Sequence, residues 1–227
     1  MKTFLDFKYL IISTQLDDGP MNINEDGSLN DNSLEILRKL RVNIGDFSYM
    51  RQTHDTIVQV VTKAGVYLAD GLISKNVSAV GIRSADCVPV VLYGPDLIGA
   101  VHVSRVNLIG GIIDNLHMAL NRTGSFPADL KLFLGPHIRV KNYQIGGAAL
   151  EQVRKTRFSD FLIGKDYDFH FDLTAALCFE LERIGVKKDN IEDCKIDTFK
   201  SREFLSCRKQ LDPKQVKTFF TIIKRND

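Results

Sequence analysis

Two almost unbroken apolar runs, Val88–Tyr93 and residues 97–103, stand beside each other in this chain, separated only by Gly94-Pro95-Asp96. Runs this short, rich in valine and without polar alternation, read as strands buried on both faces. Gly, Pro and Asp between them are turn chemistry. The two runs therefore predict a buried antiparallel hairpin. Cys87 stands immediately before the first strand and His102 near the end of the second. The hairpin brings both to the same end of adjacent strands.

The remaining pattern surrounds that hairpin with mixed elements. Apolar β-branched stretches predict further strands over residues 56–61, 77–82, 130–134, 204–207 and 216–223. Helical spacing predicts four helices. The first runs from an Asn32 cap to Leu40, with Glu35 as the reciprocal acid. The others cover residues 108–120, 147–158 and 173–184, the last capped by Asp172. Residues 16–32, rich in Asp, Asn and Gly, read as an exposed loop. Clustered strands with helices interposed late predict an α+β fold of mixed sheets flanked by helices, rather than regular βαβ winding.

At 227 residues the chain is long enough for a sizeable core, and a single domain over residues 1–227 is expected. A formal charge of +2 gives no argument for nucleic acid or an anionic membrane. Four cysteines at positions 87, 178, 194 and 207 have no framework spacing, which suits a reducing compartment. Asp6 and Lys8 interrupt the N-terminal apolar stretch, leaving too short a run for a signal peptide, and no segment has the length of a membrane span. A cytoplasmic protein is expected.

His54 joins Cys87 and His102 as the third residue capable of chemistry at a strand edge. Two imidazoles and a thiolate form a nitrogen and sulfur ligand set suited to zinc, with copper as the alternative ion. Three protein ligands leave one tetrahedral position open, as catalysis requires. The same residues also read as a metal-free pair, with Cys87 the nucleophile and His102 its base.

The words around these residues resemble the YfiH-type laccase-domain or polyphenol oxidase family, also described as purine nucleoside phosphorylases. The family pattern K/R-Q-x-H appears as Arg51-Gln52-Thr53-His54, its Ala-Asp-Gly turn as Ala69-Asp70-Gly71, and its T-A-D-C-x-P word as Ser84-Ala85-Asp86-Cys87-Val88-Pro89. Ala100-Val101-His102, Gly135-Pro136-His137-Ile138 and a C-terminal Glu203-Phe204-Leu205-Ser206-Cys207-Arg208-Lys209 follow in the family's order. One departure is plain. Where the family continues its histidine word with Ala-Gly-Trp-Arg-Gly, this chain has Val103-Ser104-Arg105-Val106-Asn107, and it contains no tryptophan.

The resemblance implies a YfiH-like α+β fold related to Cys-hydrolase-like folds. It implies His54, Cys87 and His102 as catalytic residues and metal ligands. Arg51, Gln52, Arg105 and His137 become candidates for substrate binding. Arg83, just before the cysteine word, could supply further positive charge. Asp86 either orients a ligand histidine from behind or caps its own turn.

The expected activity is zinc-dependent cleavage of adenosine or inosine by phosphate, with adenosine deamination as a further reaction. The partners are then a nucleoside and phosphate, without nucleic acid or membrane; the oligomeric state is open. Three alternatives stand beside it. They are copper-dependent polyphenol oxidation, metal-free Cys–His hydrolysis, and a family member that keeps the pocket after losing catalytic power. Only five histidines are present, few for the multicentre copper cluster of an oxidase.

Overall fold

The structure is a computed structural model that describes residues 1–6, 9–19, 21, 23–24, 27–210 and 216–226. In chain order its strands are β1 (Lys2–Asp6), β2 (Tyr9–Ser13), β3 (Phe47–Arg51), β4 (Val58–Val60), β5 (Gly65–Leu68), β6 (Gly71–Ser74), β7 (Ala79–Ser84), β8 (Val88–Tyr93) and β9 (Ile98–Val103). They continue with β10 (Lys131–Leu134), β11 (Gln144–Ile145), β12 (Leu162–Lys165), β13 (Asp168–Phe171), β14 (Ile191–Asp193) and β15 (Phe219–Arg225). The helices are α1 (Asp31–Lys39), α2 (Arg105–Gly110), α3 (Ile112–Thr123), α4 (Gly147–Arg154) and α5 (Leu173–Arg183).

Two six-stranded mixed sheets dominate, in the orders β1-β2-β15-β7-β3-β5 and β14-β10-β8-β9-β6-β4, with a small sheet β11-β13-β12 beside them. Parallel pairs β3–β7 and β3–β5 occur in the first sheet, and β10–β14 and β4–β6 in the second. The fold is therefore a single domain of mixed sheets flanked by helices, as the strand pattern predicts.

The hairpin forms as expected. Every residue of β8 and β9 is buried, and the register sets Val88 against Val103 and Pro89 against His102. One face of this pair meets Val80 and Ile82 of β7 and Ile11 of β2, which closes a core between the two large sheets. The other face carries Val88, Val90, Val101 and Val103 against Ile112, Leu116 and Leu120 of α3 and Leu177 and Leu181 of α5. Each such aliphatic side chain contributes roughly 1.5–3 kcal/mol when fully buried. A hairpin packed on both sides is a rigid base for a site at its end.

Several sequence expectations are corrected. Residues 108–120 are not one helix: Gly111, at φ +96°, takes the left-handed conformation and separates α2 from α3. The cap of α1 is Asn30, which accepts from the Ser33 amide at 2.8 Å; Asn32 lies inside the helix and donates to the Asp18 carbonyl. Glu35 pairs with Lys39 at 2.7 Å instead of reaching back to the cap. Residues 204–207 form no strand; Phe204 is buried against Phe219, and a 3₁₀ turn begins at Cys207. The loop over 16–32 is not wholly exposed, since Met21 and Leu29 are buried beside Phe47 and Phe220. Residues 211–215 lie outside the described residues, and Val216 precedes the strand that begins at Phe219.

The cap on α5 is as expected, with Asp172 accepting from the Ala175 amide at 2.9 Å. Among the described residues, no helix is long and apolar enough to cross a membrane.

Candidate metal centre

Cys87 sits in the turn between β7 and β8, one residue before the hairpin begins, and His102 lies opposite Pro89 near the end of β9. His54 comes from the loop between β3 and β4, where its own φ of +61° is left-handed. A non-glycine residue holds that conformation only when its surroundings impose it. Ligand atoms of the three side chains lie within 4.8 Å of one another, and Cys87 Sγ is 4.0 Å from His54 Nε2. The imidazoles of His54 and His102 meet edge to face at 4.8 Å. His102 is buried, whereas His54 is exposed.

One carboxylate arranges both histidines. Asp70, fully buried in the turn before β6, receives the His102 Nδ1 proton at 2.7 Å. Its two oxygens also accept from the amides of Thr53 at 3.0 Å, His54 at 3.2 Å and Asp55 at 2.9 Å. The first bond fixes the His102 tautomer and leaves Nε2 for the site. The other three wrap the His54 loop around the same carboxylate, which accounts for the strained residue. A carboxylate behind a ligand imidazole is the arrangement expected of a metal centre. The sequence left this role as one of two open to Asp86; the Ala69-Asp70-Gly71 word was the signal that could have pointed to Asp70.

Asp86 does different work. At φ +93° it bonds the Thr198 hydroxyl at 2.6 Å, the Ser206 hydroxyl at 3.0 Å and the Arg208 amide at 2.9 Å. These partners all lie far away in sequence, so Asp86 clasps the C-terminal segment onto the cysteine loop; among the described residues its carboxylate neither caps its own turn nor reaches a site histidine.

The donor chemistry fits a metal ion. Bonds of ~2.0–2.3 Å place tetrahedral ligand atoms roughly 3.3–3.7 Å apart, so contraction of about an ångström would close the observed cluster on an ion. Burial by itself raises the Cys87 thiol, but His102 and His54 outweigh it and bring the pKa down to about 6. Burial depresses His102 in turn, and the Cys87 thiolate and Asp70 carry it up to about 9. Burial also disfavours the Asp70 anion, yet His102 and the loop amides leave its pKa below the usual carboxylate value. Sulfur is thus held as thiolate at neutral pH, the form that binds metal.

An alkylation profile tests this charge arrangement. In metal-free protein, iodoacetamide labelling of Cys87 should rise through a midpoint near pH 6. Burial pushes Cys178 and Cys194 up to about 11, so peptide mapping should resolve Cys87 from them. A midpoint at the ordinary thiol value would show that the imidazoles do not act on the sulfur. Loading with metal should protect Cys87.

The cluster opens on a cavity of about 400 Å³, also lined by Gln52, Arg83, Asp86, Tyr143, Cys207 and Arg208. Gln52 faces this space, but its amide is engaged reciprocally by the backbone of Arg83, at 2.8 and 3.0 Å. It positions β7 beside the His54 loop. Arg51 is exposed and lies outside the lining.

Arg105 does not line the cavity either. It begins α2, bonds Gln152 and acts electrostatically on the Tyr143 hydroxyl. The divergent segment after His102 is therefore a helix start and not a strand. Ser104 and Asn107 form a reciprocal capping box there, and Asn107 also donates to the His102 carbonyl at 2.8 Å.

His137 is removed from the site altogether. It is fully buried, Nδ1 donates to the Gly135 carbonyl at 2.7 Å, and Nε2 accepts from the Thr174 hydroxyl at 2.8 Å. Burial, aided by Arg139, lowers its pKa to about 4, so it stays neutral. Neither nitrogen is free for a metal or substrate. Sequence reasoning passed over Tyr143, which no motif marked, because its approach depends on the small third sheet.

Comparison with known proteins places these features in context. A family model described as multi-copper polyphenol oxidoreductase laccase matches residues 12–223. A purine nucleoside phosphorylase of Clostridium acetobutylicum is 30% identical over 234 residues, covering 97% of this chain and 95% of that protein. One from Campylobacter jejuni is 33% identical over 169 residues, covering 70% of this chain and 67% of its own length. The crystal structure of the Bacillus licheniformis hypothetical protein YfiH superposes with a TM-score of 0.80 at 20% identity, over 96% of this chain and 93% of that one. That likeness establishes the fold.

Proposed function

The chain belongs to the multi-copper polyphenol oxidoreductase laccase family, and from that membership we propose that it is a zinc-dependent purine nucleoside phosphorylase acting on adenosine or inosine. The observation that carries the reading is the His54–Cys87–His102 cluster at the wall of a ligand-sized cavity whose lining also includes Tyr143, Arg83 and Arg208.

Zinc bound by His54, Cys87 and His102 would supply Lewis-acid polarisation of a substrate oxygen. The remaining tasks belong to the chain. Breaking an N-glycosidic bond builds positive charge on the sugar, and the phosphate nucleophile must be held in line by fixed cations. The Tyr143 ring offers a flat surface for a purine, backed by the Arg208 guanidinium at 4.9 Å. Burial holds the Tyr143 pKa at about 12, so its hydroxyl remains a neutral donor. His102, locked by Asp70, keeps one tautomer throughout a turnover, while exposed His54 forms the side of the site that substrate enters.

Arg105 steadies Tyr143 from outside the cavity. Arg105→Ala should weaken nucleoside use by a few-fold, roughly the worth of one exposed polar contact, and leave bound metal unchanged. A large loss of metal in that variant would place Arg105 in the metal centre instead.

Elemental analysis combined with a product assay tests the reading. Stoichiometric zinc, with free base and a sugar phosphate released only when phosphate is present, is the expected result. Base release without phosphate favours the hydrolase. Conversion of adenosine to inosine without base release favours deamination. Copper with phenol oxidation favours the oxidase, although among the described residues only one cluster of three or more His, Cys, Asp or Glu is placed to hold a metal.

A further inference from the structure

Arg83 is the least explained residue in the cavity. It lies near the end of β7, paired with Phe220 of β15, and the Gln52 amide holds its backbone. Arg83 is among the residues that line the same cavity as Cys87 and His102. The guanidinium Nε is buried and has no hydrogen-bond partner. Burial pulls its pKa down, and among the described residues Tyr49 acts in the other direction and no carboxylate does. Among the described residues, the one carboxylate in the cavity lining, Asp86, is already engaged by Thr198, Ser206 and the Arg208 amide.

A buried cation with an unsatisfied donor and no anion is unfavourable unless an anion enters beside it. Guanidinium is suited to tetrahedral oxyanions, because its fork presents parallel donors. A second cation, Arg208, reaches the same cavity from the C-terminal segment, its backbone secured on Asp86.

We propose that Arg83, with Arg208 at the rim, forms a binding site for a phosphoryl oxyanion beside the His54–Cys87–His102 cluster. Its part in turnover rests on the phosphorylase reading; the anion site itself does not. In the segment after His102, the position where related sequences carry arginine is Val106, which is 45% exposed. Arg83 delivers a cation to the cavity from the other sheet. The oxyanion is either free inorganic phosphate or the phosphate of a nucleoside monophosphate.

Calorimetric titration of the metal-loaded protein with inorganic phosphate, and separately with adenosine monophosphate, tests the site and distinguishes the two sources. Arg83→Gln should weaken whichever ligand binds by roughly 10- to 100-fold, the loss expected for charge-assisted hydrogen bonds. Arg83→Lys should restore part of the affinity. The Gln52 bonds reach only the Arg83 backbone, so both variants should retain metal content and thermal midpoint.

In turnover, Arg83→Gln should raise the KM for phosphate much more than that for the nucleoside. Phosphate or monophosphate binding that depends on Arg83, in a protein that releases no base, would uphold the anion site and reject the phosphorylase reading. Absence of binding by both ligands to the unsubstituted protein, or equal binding by Arg83→Gln, overturns the proposal.

Discussion

Cys87→Ala is expected to remove most bound metal and reduce nucleoside phosphorolysis to background. The thiolate is the only anionic ligand in the cluster and lies 4.0 Å from His54 Nε2. Without it, only the two imidazoles remain, one of them exposed. Loss of an outer-shell partner alone typically lowers metal affinity or activity by about 10–100-fold. Loss of the thiolate should exceed that range. Cys87→Ser should behave similarly, because a serine hydroxyl is not ionised at neutral pH. Folding should survive, since Ala at this turn leaves the buried faces of β8 and β9 intact. Metal content and phosphate-dependent base release, measured on the same preparation, decide the matter. Full phosphorolysis by Cys87→Ala would reject the metal mechanism outright.

Asp70→Asn should produce the second largest effect, through geometry rather than ligation. The carboxylate accepts from His102 Nδ1 and from three consecutive amides with its two oxygens. An asparagine offers one acceptor and turns an NH₂ toward donors, so some of these bonds are lost. Metal affinity and turnover should fall by about 10–100-fold. Orphaned buried donors should lower stability by roughly 1–3 kcal/mol.

Part of this destabilisation should depend on pH. Since Asp70 is held below the usual carboxylate pKa, its ionised form is favoured by folding. That contribution is complete above the unfolded-state value of about 3.9 and disappears as pH falls through the lower folded value. The difference in thermal midpoint between the unsubstituted protein and the Asp70→Asn variant, both metal-free, should therefore be widest near neutrality and narrow in acid. A difference that stays constant with pH would mean that the charge of Asp70 contributes nothing.

What was legible from the sequence was local. Two apolar runs separated by Gly-Pro-Asp are enough for a hairpin, because burial on both faces and the turn conformation are written in neighbouring residues. Cys87 and His102 followed from it by register alone. Asp172 as the α5 cap was equally local: the accepting oxygen and the amide it serves are three residues apart.

Tertiary structure alone decided the rest. β3 finds its partners in parallel strands distant in sequence, β7 on one side and β5 on the other, so its short run carried no turn signal to announce it. Asp70 and Asp86 are the same residue type in similar turn-like words. What separates them is which donors lie within reach: ligand-loop amides and His102 for one, Thr198, Ser206 and the Arg208 amide for the other. His137 lost its place in the site because both ring nitrogens found partners in the interior, while Arg83 lines the cavity with no carboxylate beside it among the described residues. Residue types and hydrophobic period are properties of the chain. Partner choice in a low-dielectric interior depends on distances of a few ångströms between segments far apart in sequence, and these exist only once the two sheets have closed on each other.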